Sequence, residues 1–138
     1  MNLKKLFLNH CKINGFEVNN NQIKTIEIIN EFYQKNFNYN FLKNFFFKKE
    51  KMPGFYLQGG VGVGKTMILN FFYENFEQTK QRLHFNEFMI NFHEFIFQNR
   101  NNKKGNAIDK FIIKLKKKYK LIYFDEFQVT NIVDAMIL

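Results

Sequence analysis

Apolar and polar positions alternate along this chain in two rhythms, one helical and one of short unbroken apolar runs, and their order predicts the architecture. Residues 3 to 14 set lysines against leucine and phenylalanine at near-helical spacing and stop at Gly15, which predicts a short helix with a glycine end. Asn19-Asn20-Asn21 then precede a stripe of Ile23, Ile26, Ile29, Phe32 and Tyr33, so a helix over 22–34 is expected, capped by asparagine side chains that accept from its first amides. The aromatic and basic stretch from Phe37 to Lys51 predicts a third helix, ended by Met52-Pro53-Gly54.

Gly54-Phe55-Tyr56-Leu57-Gln58 is a short apolar run and predicts a buried strand, followed by a helix starting around Gly64. Arg82-Leu83-His84-Phe85 predicts a second strand. It runs into residues 86–97, where Phe85, Phe88, Met89, Phe92, Phe95 and Ile96 form a helical stripe. A polar loop over 99–106 leads to a basic helix from Ala107 to Lys120 with Ile108, Phe111, Ile112 and Leu115 inward. Leu121-Ile122-Tyr123-Phe124 is a continuous apolar run, as a strand buried on both faces requires. Strands alternating with helices indicate an α/β protein with a parallel sheet.

Composition narrows this picture in three ways. The chain has 138 residues, enough for one compact core but small for a complete nucleotide-hydrolysing module. No continuous apolar stretch is long enough to cross a bilayer, since even Phe45-Phe46-Phe47 is followed at once by lysines, and the apolar part of the first ten residues is too short for a secretory segment, so a cytoplasmic location is the default. Cys11 is the single cysteine, which excludes an internal disulfide. A net charge of +9 invites a nucleic-acid reading. Arginine occurs only at Arg82 and Arg100 and serine is absent, the signature of AT-rich codons choosing lysine, so the charge is expected to lie on solvated faces without specific nucleic-acid binding.

The candidate chemistry begins at Gly59-Gly60-Val61-Gly62-Val63-Gly64-Lys65-Thr66, which spells GxxxxGK[ST]. A tight loop around a polyphosphate needs residues that accept positive φ and let amides approach the anion, and four of the six loop positions are glycine. Lys65 supplies a point charge for the β and γ phosphates, Thr66 a hydroxyl for their magnesium ion, and the following helix its N-terminal amides. Chance gives roughly one occurrence in a thousand such chains. The dinucleotide pattern GxGxxG fails because Lys65 stands where its third glycine should be, so a nucleotide triphosphate is favoured over NAD.

Asp125 and Glu126 end the last apolar run. Ligands of open parallel sheets collect beyond the carboxyl ends of the strands, which is where this pair is expected. Asp125 is expected to help hold Mg2+ through its water shell, and Glu126 to take or orient the proton of the attacking water. Other patterns fail. His93-Glu94 opens like HExxH, but Phe97 occupies the second histidine's place, no recognisable zinc spacing is present, and with no serine and no Cys/His pairing of known pattern covalent nucleophilic catalysis is unsupported.

The blocks Gly54 to Met67, Arg82 to Met89, His93-Glu94 and Phe124 to Leu138 together resemble the ZapE cell-division ATPases of bacteria and their mitochondrial relatives, the family named after ATPase family gene one, within the AAA+ class. The resemblance spans residues 52–138, with the helix at Asn21-Gln22 a weaker match. It implies a helical N-terminal segment over 1–51 and an AAA+ core over 52–138, with Lys65 and Glu126 catalytic, Gly59 to Thr66 binding ATP, and Thr66 and Asp125 holding magnesium. It also implies ATP hydrolysis coupled to remodelling of a protein partner, in bacteria the tubulin-like division ring at the division site, and a homo-oligomer at full length.

Family members are typically more than twice as long, and the AAA+ strand order 5-1-4-3-2 places both neighbours of the phosphate-loop strand after the strand ending at Asp125. The chain is therefore expected to be a fragment, truncated after the Walker B strand, marginally folded and inactive alone. The alternatives are a nucleotide-binding module without hydrolysis and a helicase-loader-like protein gripping single-stranded nucleic acid.

Overall fold

The computed structural model describes residues 2–37, 52–100, 106–129 and 132–137. The helix expected from Phe37 to Lys51 lies almost wholly outside the described residues. The chain divides into two compact units, Met1–Asn75 and Phe76–Leu138.

In the first unit, α1 spans Leu3–Ile13, α2 Asn20–Asn36 and α3 Lys65–Asn75. The side chain of Asn2 accepts from the Lys5 amide at 3.1 Å and starts α1. Gly15, at φ +66°, ends it, as the periodicity predicts. Leu3, Phe7 and Cys11 repeat every four residues and are buried. Phe7 meets Phe71 of α3 edge-on at 5.2 Å, and Leu3 donates its amide to Asn30 of α2 at 3.3 Å. Burial also pushes the Cys11 thiol up.

The α2 stripe differs from expectation at its first position. Ile26, Ile29 and Phe32 are buried, but Ile23 is half-exposed and the polar Gln22 is buried in its stead. Gln22 and Asn19 form a reciprocal capping box: the Gln22 amide donates to Asn19 Oδ1 at 2.9 Å and Asn19 donates its amide to Gln22 Oε1 at 3.1 Å.

The segment Gly54–Gln58 joins no ladder among the described residues, contrary to the strand expected there. A strand exists only through the neighbour that takes its amides and carbonyls. Its side chains nevertheless alternate, with Phe55 and Leu57 half-buried and Tyr56 exposed. Phe55 packs edge-on against Phe32 at 5.1 Å.

The second unit holds two parallel strands, β1 (Lys80–His84) and β2 (Leu121–Asp125), in register from Lys80 opposite Leu121 to His84 opposite Asp125. Helices α4 (Phe85–Asn99) and α5 (Ala107–Lys118) form the crossover between them. Phe85 belongs to α4 and not to the strand, because its ring anchors the core that Met89, Phe92 and Phe111 complete. Asn106 caps α5 through the Ile108 amide at 3.0 Å, and Lys116, Lys117 and Lys118 suit its negative C-terminal end. That helix stops short of Lys120, whose amide donates to Thr79 at 2.8 Å and opens the ladder. In β2 only Leu121 is buried, and residues 122–125 are half-buried, because the sheet has two strands among the described residues. A short helix, α6, covers Ile132–Ile137.

Candidate functional site

The first unit carries the glycine loop. Gly62 and Gly64 stand at φ +81° and +86°, where a side chain would be strained, whereas Gly59 and Gly60 do not have positive φ. Two of the four loop glycines are thus required by backbone conformation. Directly after Gly64, α3 begins, and its ladder opens with the Ile68 amide donating to the Gly64 carbonyl at 3.1 Å. The amides of Lys65, Thr66 and Met67 belong to the first turn, whose donors have no partner within the helix, and no acidic side chain lies in that turn.

Lys65 folds back over the loop. Its Nζ donates to the carbonyl oxygens of Gly59 at 2.8 Å and Gly60 at 2.5 Å, and among the described residues it meets no carboxylate. Val61 and Thr66 are exposed. A cavity of about 320 Å³ adjoins the loop, lined among others by Gln22, Thr25, Leu57, Gln58, Gly59 and Lys65. This donor set fits a polyphosphate: a cation held, among the described residues, by carbonyl dipoles, backbone amides with no partner inside their helix, and glycine conformations that keep side chains out of the loop.

In the second unit Asp125 closes β2 and Glu126 follows it. Arg82, across the ladder on β1, donates its Nε to Asp125 Oδ2, and its guanidinium lies over the Tyr123 ring at 5.0 Å. Burial tends to raise the Asp125 carboxyl, but hydrogen bonds from Arg82 and Tyr123 and the charges of Arg82 and His84 outweigh it and hold it below the usual carboxylate range. Burial first, and then the bond to Asp125, push the Tyr123 hydroxyl up to about 12. A hard divalent cation suits a carboxylate kept ionised in this way. Glu126 is exposed and has φ +50°, the single non-glycine residue with positive φ among the described residues. His93, which the HExxH comparison singled out, pairs with Asp134 of α6 at 2.8 Å.

Arg82 and Tyr123 carry no motif that marks them as partners of Asp125. The signal was confined to Arg82 being one of two arginines in a lysine-rich chain. Arg82→Gln removes the charged donor and is expected to move the Asp125 carboxyl up towards its ordinary 3.8. Since the folded value is depressed, this carboxylate's contribution to stability is present above the ordinary value and lost as pH falls through the folded one. The variant is expected to show less of that acid dependence. A carboxyl-carbon NMR titration of the two proteins checks it, and an unmoved Asp125 resonance would count against the ion pair.

Residues 3–138 match the protein family described as AFG1-like ATPase. The chain belongs to the AFG1-like ATPase family. The resemblance read from the phosphate loop and the Asp-Glu block is thereby borne out, and with it the P-loop AAA+ fold class. Similar proteins include lactation elevated protein 1 homolog B of Danio rerio, 39% identical over 101 residues covering 66% of this chain and 20% of that protein. Cell division protein ZapE of Escherichia coli K12 is 38% identical over 94 residues, covering 66% of this chain and 24% of its own length. This AFG1-like chain spans about a fifth to a quarter of the length of the curated relatives it matches. No solved structure matches it. Among the described residues no helix is long and apolar enough to cross a membrane.

Proposed function

We propose that this chain carries the nucleotide-binding part of a magnesium-dependent ATPase whose cycle remodels a protein partner in cell division. The observation that carries the reading is Lys65, poised over the Gly59 and Gly60 carbonyls at the start of α3. On binding, its Nζ exchanges carbonyl dipoles for β and γ phosphate oxygens, a charge-assisted and stronger partnership. The amides of Gly59 to Thr66 would wrap the phosphates and the Thr66 hydroxyl would hold a magnesium ion, and Asp125, kept ionised in the second unit, is the carboxylate that the family resemblance assigns to such an ion. Magnesium, when bound, supplies neutralisation of the charge that builds on the phosphate oxygens. Glu126 orients the attacking water and takes its proton. The printed name of the Escherichia coli relative, a cell division protein, supports a partner in the division apparatus; that this partner is the tubulin-like ring is what the family resemblance implies, and a cytoplasmic site of action follows the expectation from the sequence.

Calorimetry with Mg-ATP tests the reading. Saturable binding is expected, with stabilisation of about 2.7 kcal/mol at a hundredfold excess over the dissociation constant. The absence of heat from a cooperatively folded sample overturns it. A second reading, nucleotide binding without turnover, is favoured by Gly54–Gln58 having no ladder partner among the described residues. On that reading the chain binds ATP without releasing phosphate.

A further inference from the structure

We propose that Gln22 is a positioning residue for the phosphate loop, tying the start of α2 to the one peptide whose orientation decides where the loop's amides point. The inference rests on the nucleotide-binding reading of the loop. Gln22 is 9% exposed, the one buried polar residue amid the apolar stripe of α2 among the described residues. Both ends of its amide are engaged. Oε1 accepts the Asn19 amide at 3.1 Å, which fixes the oxygen on the cap side, since Nε2 there would set two donors face to face. Nε2 then donates to the Val63 carbonyl at 3.3 Å, 41 residues away in sequence.

Gly64 makes room for this contact. A Cβ built on Gly64 would lie 2.6 Å from Gln22 Nε2 and 3.7 Å from its Cδ, so the glutamine amide occupies the space that any other residue at 64 would fill. The physical consequence lies in the Val63–Gly64 peptide. In a trans peptide the carbonyl and the N–H point in opposite directions. Drawing the Val63 carbonyl towards α2 therefore turns the Gly64 amide the other way, out of the α2 side of the loop. Gly64, at φ +86°, and Gly62, at φ +81°, sit on either side of Val63, and glycines offer little intrinsic resistance to rotation of a peptide. The Gln22 bond supplies that resistance. The loop is thereby set before the ligand arrives, and less ordering has to accompany binding. Isoleucines 26 and 29, fully buried further along α2, give the tether a rigid base.

Three variants of the chain separate this role from helix capping and from charge. Gln22→Glu keeps an acceptor for the Asn19 amide, the usual partner in a capping box, but has no donor for Val63. Gln22→Met removes both bonds without adding charge. Asn2→Ala removes the cap of α1 in the same unit, far from the loop in sequence, and reports what a loss of stability alone does. Binding of a fluorescent Mg-ATP analogue is expected to weaken about threefold to tenfold in both Gln22 variants, the size of one lost hydrogen bond. It is expected to hold in Asn2→Ala. Amide exchange at Gly64, followed without nucleotide, is expected to speed up in both Gln22 variants only.

Wild-type affinity in both Gln22 variants overturns the inference. Weakening in Gln22→Glu alone, abolished by salt, traces the effect to charge repulsion and overturns it as well. If Gln22→Met does not fold, a loss in Gln22→Glu that persists at high salt, together with faster exchange at Gly64, supports it. Absence of binding by the wild-type chain is a different failure, since it removes the nucleotide reading on which the inference rests.

Discussion

Lys65→Ala is expected to weaken Mg-ATP binding by about a hundredfold while leaving the fold intact. Two charge-assisted hydrogen bonds to phosphate oxygens are worth roughly 1.5–3 kcal/mol each, less the two carbonyl bonds given up, and about 2.7 kcal/mol corresponds to a factor of a hundred. The structure places the ammonium in advance. Its bonds to Gly59 and Gly60 hold it over the loop, so little side-chain freedom remains to be lost on binding. Stability is expected to change by no more than about 0.5 kcal/mol, because the side chain is partly exposed and alanine suits the first turn of a helix. Lys65→Arg is not expected to rescue binding, since a planar fork does not replace a compact ammonium inside a tight loop. Calorimetry and thermal melting of the three proteins decide the matter. Near-wild-type affinity in the alanine variant would place the phosphates elsewhere.

Glu126→Gln is expected to retain ATP and lose turnover by roughly a hundredfold to ten-thousandfold, the usual contribution of a positioned general base. The measurement is phosphate release, with nucleotide affinity in parallel, in a form of the protein that turns ATP over. The backbone adds an independent reason to look at this residue. Glu126 has φ +50°, a conformation that favours glycine and costs other residues about 1–2 kcal/mol. Strain of this kind clusters at functional sites. Glu126→Gly is therefore expected to stabilise the second unit by about 1 kcal/mol, and still to lose turnover. A glutamine variant that hydrolyses normally would show that the base lies elsewhere, and a destabilised glycine variant would show that the turn is not strained.

Legibility in the sequence followed the range of the forces concerned. Helices α1, α2, α4 and α5 were readable because their apolar residues recur every three or four positions and their caps are local: Asn2, Asn19 and Asn106 each serve an amide two or three residues on. The boundaries that slipped are those set by non-local partners. Phe85 moved from strand to helix because the core anchored by Met89, Phe92 and Phe111 claims its ring. The basic helix ended at Lys118 because Thr79, 41 positions before Lys120, takes the Lys120 amide.

At the sites the division is the same. The phosphate-loop motif and the Asp125-Glu126 pair were visible as residue types at fixed spacing, because loop chemistry is encoded within eight consecutive residues. Neither Gln22 nor Arg82 could be assigned its role in that way, since each acts on a group some forty positions away. Gln22 even broke the apolar stripe that the periodicity expected, replacing Ile23 at its buried end.

From residue order alone came the family, the phosphate-binding motif, the acidic pair and most of the helices, all consequences of neighbours within a turn or a short loop. Tertiary structure decided which loop glycines are conformationally obligatory, what holds Asp125 ionised, where Lys65 rests and what steadies the Val63–Gly64 peptide. Those depend on atoms brought together only when hydrophobic burial folds distant segments of each unit onto one another, and no periodicity in the chain records that meeting.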